Sequence, residues 1–278
     1  MTRPPPAPPL GQHFLTDRNI LQRIVDALDP TPGDVVVEIG AGKGSLTRIL
    51  APRVRHVIAI ERDRRLAHEC EMRNAECGIT NTTVVQGDAL RLSWHALIDA
   101  SPDIPHSAFR TSHFKILGNI PYAITTPLID KALTPPLPAC IVFLVQSEVA
   151  DRIAARPGSK TYGAPSVGVQ AVCRVEKLFP VRAGAFTPRP KVASALLRLT
   201  PLTQPLVAVA DLAAFRRFVT ACFARRRKQL RNVLLGATGC SAVQVEEGLA
   251  ALGLDPAVRP ETLAPDIFVR LLRWSARL

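Results

Sequence analysis

Short runs of apolar, mostly β-branched residues alternate with amphipathic stretches between Asp34 and Thr200. This alternation is typical of a parallel sheet that is covered by helices on both faces. The pattern therefore predicts an α/β fold with a doubly wound sheet. The predicted strands are Val35–Ile39, Val57–Ile60, Thr83–Gln86, Phe114–Leu117, Ala139–Val145, Ala171–Lys177 and Ser194–Leu199.

The strand pattern fades after Pro201, where Pro201 and Pro205 predict a linker. Helical periodicity follows, and the Pro-rich residues 1–10 at the other end predict a flexible arm. The chain is thus expected to contain the arm (1–10), an α/β domain (11–203) and a smaller all-α domain (204–278). The helices predicted after the linker are Leu212–Ala224, Arg226–Leu235, Val243–Leu252 and Ala264–Leu272.

The charge balance favours a polyanionic partner, because 35 Lys and Arg residues face 23 Asp and Glu residues, for a formal net charge of +12. Charge alone leaves nucleic acid and an acidic membrane surface open. The apolar runs are too short for a bilayer span of about 20 residues, so we expect no membrane-embedded function. The six cysteines show neither a C-x-x-C pair nor zinc-ligand spacing, which predicts free thiols, no metal site and a cytoplasmic location.

A glycine-rich turn follows the first predicted strand, where Gly40, Gly42 and Gly44 precede a helical segment. Glycines at such a point let the backbone turn tightly and approach a ligand at a helix amino terminus. The turn reads G-x-G-x-G and has no lysine where the P-loop pattern G-x-x-x-x-G-K-[ST] requires one, which disfavours nucleotide hydrolysis. It leaves NAD, FAD and S-adenosylmethionine open as ligands.

Two acidic residues follow the next two strands. Glu61 ends the second strand about 20 residues after the glycines, where a carboxylate can accept hydrogen bonds from the ribose hydroxyls of an adenosine. Asp88 follows the third strand and could accept from the adenine amine of the same ligand; it could also cap a helix. The alternative for Glu61 is an ordinary solvated acid, and the upstream glycine turn favours the binding role.

The fourth strand runs into Gly118-Asn119-Ile120-Pro121-Tyr122, which points to a reaction. An adenine amine is a poor nucleophile because its lone pair is delocalised, so an enzyme must hold it with hydrogen-bond acceptors. The Asn119 side chain and the Ile120 carbonyl could do this, while Pro121 aims the turn and Tyr122 offers an aromatic face to the base. The sulfonium of S-adenosylmethionine is a good leaving group, so no general base is required.

These motifs resemble the small-subunit rRNA adenine dimethyltransferases, which modify two adjacent adenines near the 3′ end of that RNA. The resemblance covers the chain beyond residue 10 and rests on ordered segments. The segments are Gly11-Gln12-His13-Phe14-Leu15, Glu38-Ile39-Gly40-Ala41-Gly42, Glu61, Gly87-Asp88, Gly118 to Tyr122, Gln146 to Ala150, Tyr162-Gly163, Phe186 to Val192 and Phe223 to Asn232.

The resemblance implies a Rossmann-like, S-adenosylmethionine-dependent methyltransferase with a smaller all-α C-terminal RNA-binding domain. It implies that His13 and Leu15 line the cofactor site with Gly40, Gly42, Glu61, Asp88 and Asn119. It also implies that Phe186 helps to sandwich the flipped adenine, as a catalytic residue beside Asn119, Pro121 and Tyr122. The chain departs from the family at His13, where Asn is usual, at Ala123, where a polar residue is usual, and in the Pro-rich arm, where relatives often carry lysines.

Basic residues near the predicted second tail helix are the expected RNA contacts: Arg225, Arg226, Arg227, Lys228 and Arg231, joined by Lys191 beside Phe186. The alternative for such a run is a solvated helix face. Three other functions compete with small-subunit rRNA dimethylation. They are an erythromycin-resistance methyltransferase acting on large-subunit rRNA, a non-catalytic RNA-binding assembly or transcription factor and, more remotely, a NAD-dependent oxidoreductase. We expect a monomer, because no heptad pattern demands a partner.

Overall fold

A computed structural model of the chain describes residues 12–101, 114–225 and 228–276. The described residues form two compact units. The first contains the residues up to Ala150 together with Glu176–Thr200, and the second contains Asp151–Val175 together with the residues from Pro201 onward. Residues 151–175 thus cluster with the C-terminal helices, whereas the sequence pattern groups them with the α/β domain.

The first unit is built on a seven-stranded sheet in the order β4-β3-β2-β5-β6-β9-β7, and a two-stranded sheet pairs β1 with β8. The strands are β1 (Phe14–Leu15), β2 (Val35–Ile39), β3 (His56–Glu61), β4 (Thr82–Gln86), β5 (Phe114–Asn119), β6 (Cys140–Gln146), β7 (Cys173–Val181), β8 (Phe186–Thr187) and β9 (Ser194–Pro201). All seven predicted strands are present, and the predicted fold class is confirmed.

The α-helices alternate with the strands in the first half of the chain and follow one another at its end. They are α1 (Arg18–Ala27), α2 (Thr47–Leu50), α3 (Arg64–Glu76), α4 (Trp94–Asp99), α5 (Thr125–Ala132), α6 (Ser147–Ile153), α7 (Ala164–Gln170), α8 (Leu212–Phe223), α9 (Leu230–Thr238), α10 (Ala242–Ala251) and α11 (Pro265–Ser275).

Five strands of the large sheet are parallel to their neighbours, from β4 through β6. The chain order reverses between β2 and β5, which creates the crevice at the carboxyl ends of strands where open α/β sheets bind ligands. Strand β9 runs antiparallel to β6, a departure from the parallel arrangement that the sequence pattern predicts. It follows β7 through residues 182–193, which contain no α-helix, and a parallel return requires a longer, usually helical, crossover.

The core of the first unit forms because strands buried on both faces carry continuous apolar runs. All five residues of β2 are buried, and so are all six of β3. Helix α1 covers the sheet with Leu21, Ile24 and Val25, which share one face at helical spacing. Its first turn is capped by Asp17, whose carboxylate accepts from two backbone amides.

Polar groups at the amino ends of the strands bond to one another. The Lys115 ammonium lies 2.9 Å from an Asp34 oxygen and donates to the Asp29 carbonyl at 2.5 Å. The same Asp34 oxygen accepts from the Thr31 amide at 2.6 Å. The Asn81 side chain, just before β4, donates to the Ala51 and Val54 carbonyls at 2.8 and 3.0 Å.

The second unit is helical. Helix α7 packs on α8, and α8 also packs on α9 and α11. Tyr162 is completely buried, and its hydroxyl donates to the Leu263 carbonyl at 2.9 Å. The Phe223 ring lies 6.0 Å from the Tyr162 ring and 5.6 Å from that of Phe268. An aromatic cluster therefore joins the 151–175 segment to the C-terminal helices.

The second tail helix begins later than predicted, at Leu230 rather than Arg226. Gln229 has extended backbone angles, φ −62° and ψ 149°, so the helix cannot include the preceding residues. Arg225 and Lys228 consequently lie in the connection between α8 and α9. Arg226 and Arg227 lie outside the described residues.

Candidate active site

A cavity of about 270 Å³ lies at the carboxyl ends of β2, β3, β4 and β5 in the first unit. It collects residues that the sequence scatters over more than a hundred positions. The residues proposed from sequence that line it are His13, Leu15, Gly40, Gly42, Glu61, Asp88, Asn119, Pro121 and Tyr122. The structure therefore brings together every residue proposed for the cofactor and all proposed catalytic residues except Phe186.

The glycine turn adopts a left-handed backbone, with φ of 73° at Gly40 and 56° at Gly42. Other residues rarely adopt such angles. A Cβ on Gly40 would also lie 3.3 Å from the Asn119 carbonyl oxygen, so the ends of β2 and β5 are close together. The Gly40 amide donates to the Ile60 carbonyl at 2.9 Å, which ties the turn to the end of β3.

Glu61, at the end of β3, holds the turn from the other side. One of its carboxylate oxygens accepts from the Gly42 amide at 2.8 Å, and the other accepts from the Asp63 amide at 2.9 Å. A carboxylate can accept about four hydrogen bonds, so acceptor capacity remains for a ligand. The Gly42 amide, in contrast, is already engaged by a carboxylate, which makes this turn a poor cradle for a phosphate.

Asp88 does not cap an α-helix, because the next one, α4, begins at Trp94 and has Ser93 as its N-cap. The Asp88 side chain accepts from the Leu90 amide at 2.9 Å, two residues onward, and so stabilises the turn after β4. The same residue lines the cavity. The side chain therefore shapes the turn and has further acceptor capacity available for a ligand.

Glu38 is a cavity residue to which sequence reasoning gave no role. It sits in β2, is 1% exposed, and accepts a 2.6 Å hydrogen bond from the Thr47 hydroxyl. Burial raises the pKa of Glu38 to about 7, and repulsion from Glu61 contributes to this shift. An acid inside an otherwise apolar Val-Val-Val-Glu-Ile run was the signal that could have identified it.

The Asn-Ile-Pro-Tyr turn leaves the end of β5 at the cavity wall. The Asn119 amide nitrogen donates to the His13 carbonyl at 3.0 Å, and the Ile120 amide donates to the Leu144 carbonyl at the same distance. The Tyr122 hydroxyl lies 2.8 Å from the hydroxyl of Ser194, which is completely buried. These contacts fix both the amide plane of Asn119 and the ring of Tyr122.

The segment around β1 forms another part of the wall. Its strand pairs with β8, with Leu15 opposite Phe186, and the His13 ring bonds to the Pro188 carbonyl at 2.8 Å. The His13 and Tyr122 rings are 6.1 Å apart. Phe186 itself is not among the residues that line the cavity; its side chain is 2% exposed and packs in the core cluster with Leu15.

The residues proposed to contact RNA belong to both units. Arg225 and Lys228 are exposed in the second unit, and Lys191 is exposed in the first. Arg231 donates to a Glu246 carboxylate oxygen at 2.8 Å, so this guanidinium has a protein partner. No group of three or more metal-ligating side chains occurs within the described ranges, and no helix there is long and apolar enough to cross a membrane.

The sheet order, the antiparallel β9 and the cavity beside the glycine turn define the class of the protein, a Rossmann-like methyltransferase with a helical C-terminal part. The family described as "Ribosomal RNA adenine dimethylase" matches residues 7–255. The chain belongs to this family.

Curated relatives and solved structures agree with that membership. Proteins named "Ribosomal RNA small subunit methyltransferase A" from Geobacter metallireducens and Moorella thermoacetica are 41% and 42% identical; the alignments cover 95% of this chain and 93% and 90% of those proteins. A dimethyladenosine transferase from Plasmodium falciparum superimposes with a TM-score of 0.82 at 27% identity, covering 95% of this chain and 98% of that one. The 23S rRNA methyltransferase ErmE gives 0.71 at 28% identity, with coverage of 95% and 99%.

Proposed function

We propose that this protein is an S-adenosylmethionine-dependent adenine-N6,N6-dimethyltransferase acting on two adjacent adenines near the 3′ end of small-subunit rRNA. Family membership and near-full-length relatives named as small-subunit rRNA methyltransferases support this function. The arrangement of Asn119 in the cavity carries the chemical argument. Precursor small subunits or their RNA are the corresponding substrate.

The Asn119 amide is oriented for an amine substrate. Because its nitrogen donates to the His13 carbonyl, the side-chain oxygen Oδ1 is the remaining acceptor at the cavity wall. An acceptor at this place can bind an N–H of the target adenine and favour a pyramidal nitrogen, whose lone pair is then available for attack. Tyr122 supplies an aromatic face against which the base can stack.

The cavity suits S-adenosylmethionine better than a dinucleotide. Three acidic residues, Glu38, Glu61 and Asp88, line it, and the Gly42 amide is bonded to Glu61. A pyrophosphate would meet the negative charge of Glu61 and Asp88, whereas S-adenosylmethionine, with a sulfonium, an ammonium and a carboxylate, carries a net positive charge. When bound, the cofactor supplies an electrophilic methyl group; Glu61 and Asp88 would hold its adenosine, and His13 and Leu15 would close the wall.

RNA affinity is assigned mainly to basic residues outside the cavity. The exposed Arg225 and Lys228 flank Arg226 and Arg227 in sequence, and Lys191 follows the Phe186 segment. Arg231 and the net charge of +12 add to this basic character, which favours contacts with phosphates. Phe186 would contact the target base only if β8 shifted, since its ring is buried. We further infer a monomer that works in the cytoplasm beside ribosomal precursors.

A methyl-transfer assay with two RNA substrates tests the function. Labelled S-adenosylmethionine is incubated with unmethylated small-subunit particles and, separately, with unmethylated large-subunit RNA, followed by nucleoside analysis. Dimethyladenosine from the small-subunit particles alone is the expected result. Label on large-subunit RNA would favour a resistance enzyme, which the similarity to ErmE keeps as the second candidate. Tight RNA binding without transfer would indicate a non-catalytic factor.

Variants at Tyr122 test base stacking separately. Replacement of Tyr122 by Ala removes the aromatic face and should lower kcat/KM for RNA by about 5- to 160-fold, since base–aromatic stacking contributes about 1–3 kcal/mol. Tyr122→Phe keeps the ring and loses only the hydrogen bond to Ser194, so it should retain most of the activity. Near-normal turnover of the Ala variant would contradict the stacking role.

A further inference from the structure

Lys131 lies outside the cavity, on the last turn of α5, the helix that follows the Asn-Ile-Pro-Tyr turn. Its ammonium donates to the Leu90 carbonyl at 2.8 Å and to the Leu92 carbonyl at 2.5 Å. Both acceptors belong to the turn after β4, which begins with Asp88. One side chain therefore connects the segment that carries Asp88 with the helix that carries the catalytic turn.

The turn after β4 has a second support next to the first. The Trp94 indole nitrogen donates to the Ala89 carbonyl at 2.8 Å, and the Lys131 ammonium lies 5.2 Å from the centre of the Trp94 ring. Trp94 is 3% exposed. The backbone carbonyls of Ala89, Leu90 and Leu92 in this turn thus accept hydrogen bonds from the Trp94 and Lys131 side chains. In the same turn, Asp88, Ala89 and Leu90 line the cavity.

The environment of Lys131 is costly for a lysine. Desolvation lowers its pKa, and the attraction of the Asp88 carboxylate opposes that shift. An ammonium that is partly removed from water needs several good acceptors to compensate. The Leu90 and Leu92 carbonyls, both in the turn that begins with Asp88, are its hydrogen-bond acceptors, so the compensation depends on that turn keeping its position.

We propose that Lys131 is a positioning residue for the cofactor, which sets the place of Asp88 relative to the Asn119–Tyr122 turn. This inference rests on the proposed function for the identity of the cofactor. Lys131 is not among the residues that line the cavity, so it would act through the Leu90 and Leu92 carbonyls. Preorganisation of this kind matters because small displacements of binding groups are expensive in binding and catalysis.

The test is equilibrium binding of S-adenosylhomocysteine by titration calorimetry, which requires no methyl transfer. Lys131→Met keeps the length of the side chain and removes the ammonium. We expect its dissociation constant to rise about tenfold, the value of one charge-assisted hydrogen bond. The KM for S-adenosylmethionine should rise by a similar factor, while kcat at saturating cofactor changes less than threefold.

Lys115→Met is the matched control. Lys115 also bonds to a backbone carbonyl and faces a carboxylate, but at the amino end of β5, away from the cavity. Both variants should lose thermal stability, and only Lys131→Met should lose cofactor affinity. Equal affinities in the two variants would overturn the proposal. Failure of the wild-type protein to bind S-adenosylhomocysteine would instead count against the proposed function.

A double-variant cycle tests the route through the turn. If Lys131 acts by placing Asp88, the effect of Lys131→Met on affinity should shrink at least threefold in an Asp88→Asn background. Fully additive effects would overturn the proposal. If Lys131→Met does not fold, Trp94→Phe is the substitute, because it removes the neighbouring hydrogen bond to the Ala89 carbonyl. This variant should also bind S-adenosylhomocysteine more weakly. An unchanged affinity would contradict the proposal that side-chain donors to this turn position Asp88.

Discussion

Polar side chains at the amino ends of the parallel strands differ in their hydrogen bonding from those at the carboxyl ends. At the amino ends, Asp34, Lys115 and Asn81 bond to protein groups that lie beside them. At the carboxyl ends, Glu61 and Asn119 each make hydrogen bonds that orient them, yet retain an acceptor at the cavity wall. The comparison shows that polar groups at the amino ends are bonded within the protein, and it supports our proposal that the carboxyl ends serve binding and chemistry.

Replacement of Asn119 by Ala should produce the largest effect on activity. The change removes the acceptor for the target amine, and loss of one such transition-state group typically costs about 100- to 1000-fold in kcat. RNA affinity and the unfolding free energy should stay nearly unchanged. Single-turnover methyl transfer and RNA binding measure the two quantities, and an equal loss of both would contradict the assigned role.

The pH dependence of the free energy of unfolding shows whether the buried acid Glu38, near the carboxyl end of β2, lowers stability. The folded-state pKa is about 7 and the ordinary value is 4.5, so between these pH values the folded protein holds a proton that the unfolded chain has released. The contribution of Glu38 to stability therefore falls as pH rises from about 4.5 to 7, by roughly 3 kcal/mol, and is level above that.

The variant Glu38→Gln is neutral at every pH and should escape this loss. Its unfolding free energy relative to wild type should increase from pH 5 to pH 8 in urea titrations without cofactor. Glu76→Gln, an exposed position on α3, is the control. Parallel stability curves for wild type and Glu38→Gln would show that the buried acid does not titrate in this range.

Asn81 and Asn119 are the same residue type at opposite ends of the parallel strands, so Asn81→Ala is the counterpart of Asn119→Ala. Asn81→Ala removes the side-chain donor to the Ala51 and Val54 carbonyls and should lower the unfolding free energy by about 2 kcal/mol. Methyl-transfer kinetics at a temperature where the variant is folded should match wild type within about twofold. A loss of kcat comparable to that of Asn119→Ala would remove the distinction between the two ends.

Neutralising Arg226 and Arg227 should have the smallest effect. The affected property is the salt dependence of RNA binding, to which neither end of the sheet is assigned. Each lost phosphate contact should reduce the slope of log affinity against log salt concentration by about 0.7 to 0.9. Arg64→Gln with Arg65→Gln, two exposed arginines on α3, forms a control of equal charge. RNA binding at several salt concentrations measures the slope, and identical slopes for both double variants would exclude Arg226 and Arg227 from the interface.

Much of the site could be predicted because it is assembled from strand ends. Apolar periodicity locates β2 to β5, and parallel strands bring their carboxyl ends to one edge, so Gly40, Glu61, Asp88 and Asn119 had to meet there. Asn119 and His13, in contrast, are 106 positions apart, and their hydrogen bond depends on how β1 packs. Lys131 gave no signal at all, because a lysine on a helix normally indicates a solvated face.

The chain order of apolar runs, the glycine turn and the residues after each strand determined the fold class and the edge of the sheet that carries the site. These features are local, since they depend on backbone conformation and on side-chain period. Only the tertiary structure decided that β9 is antiparallel, that α9 starts at Leu230, that Phe186 is buried and that Glu38 has a raised pKa. Each of these depends on packing between segments distant in sequence, where burial and available hydrogen-bond partners override local preference.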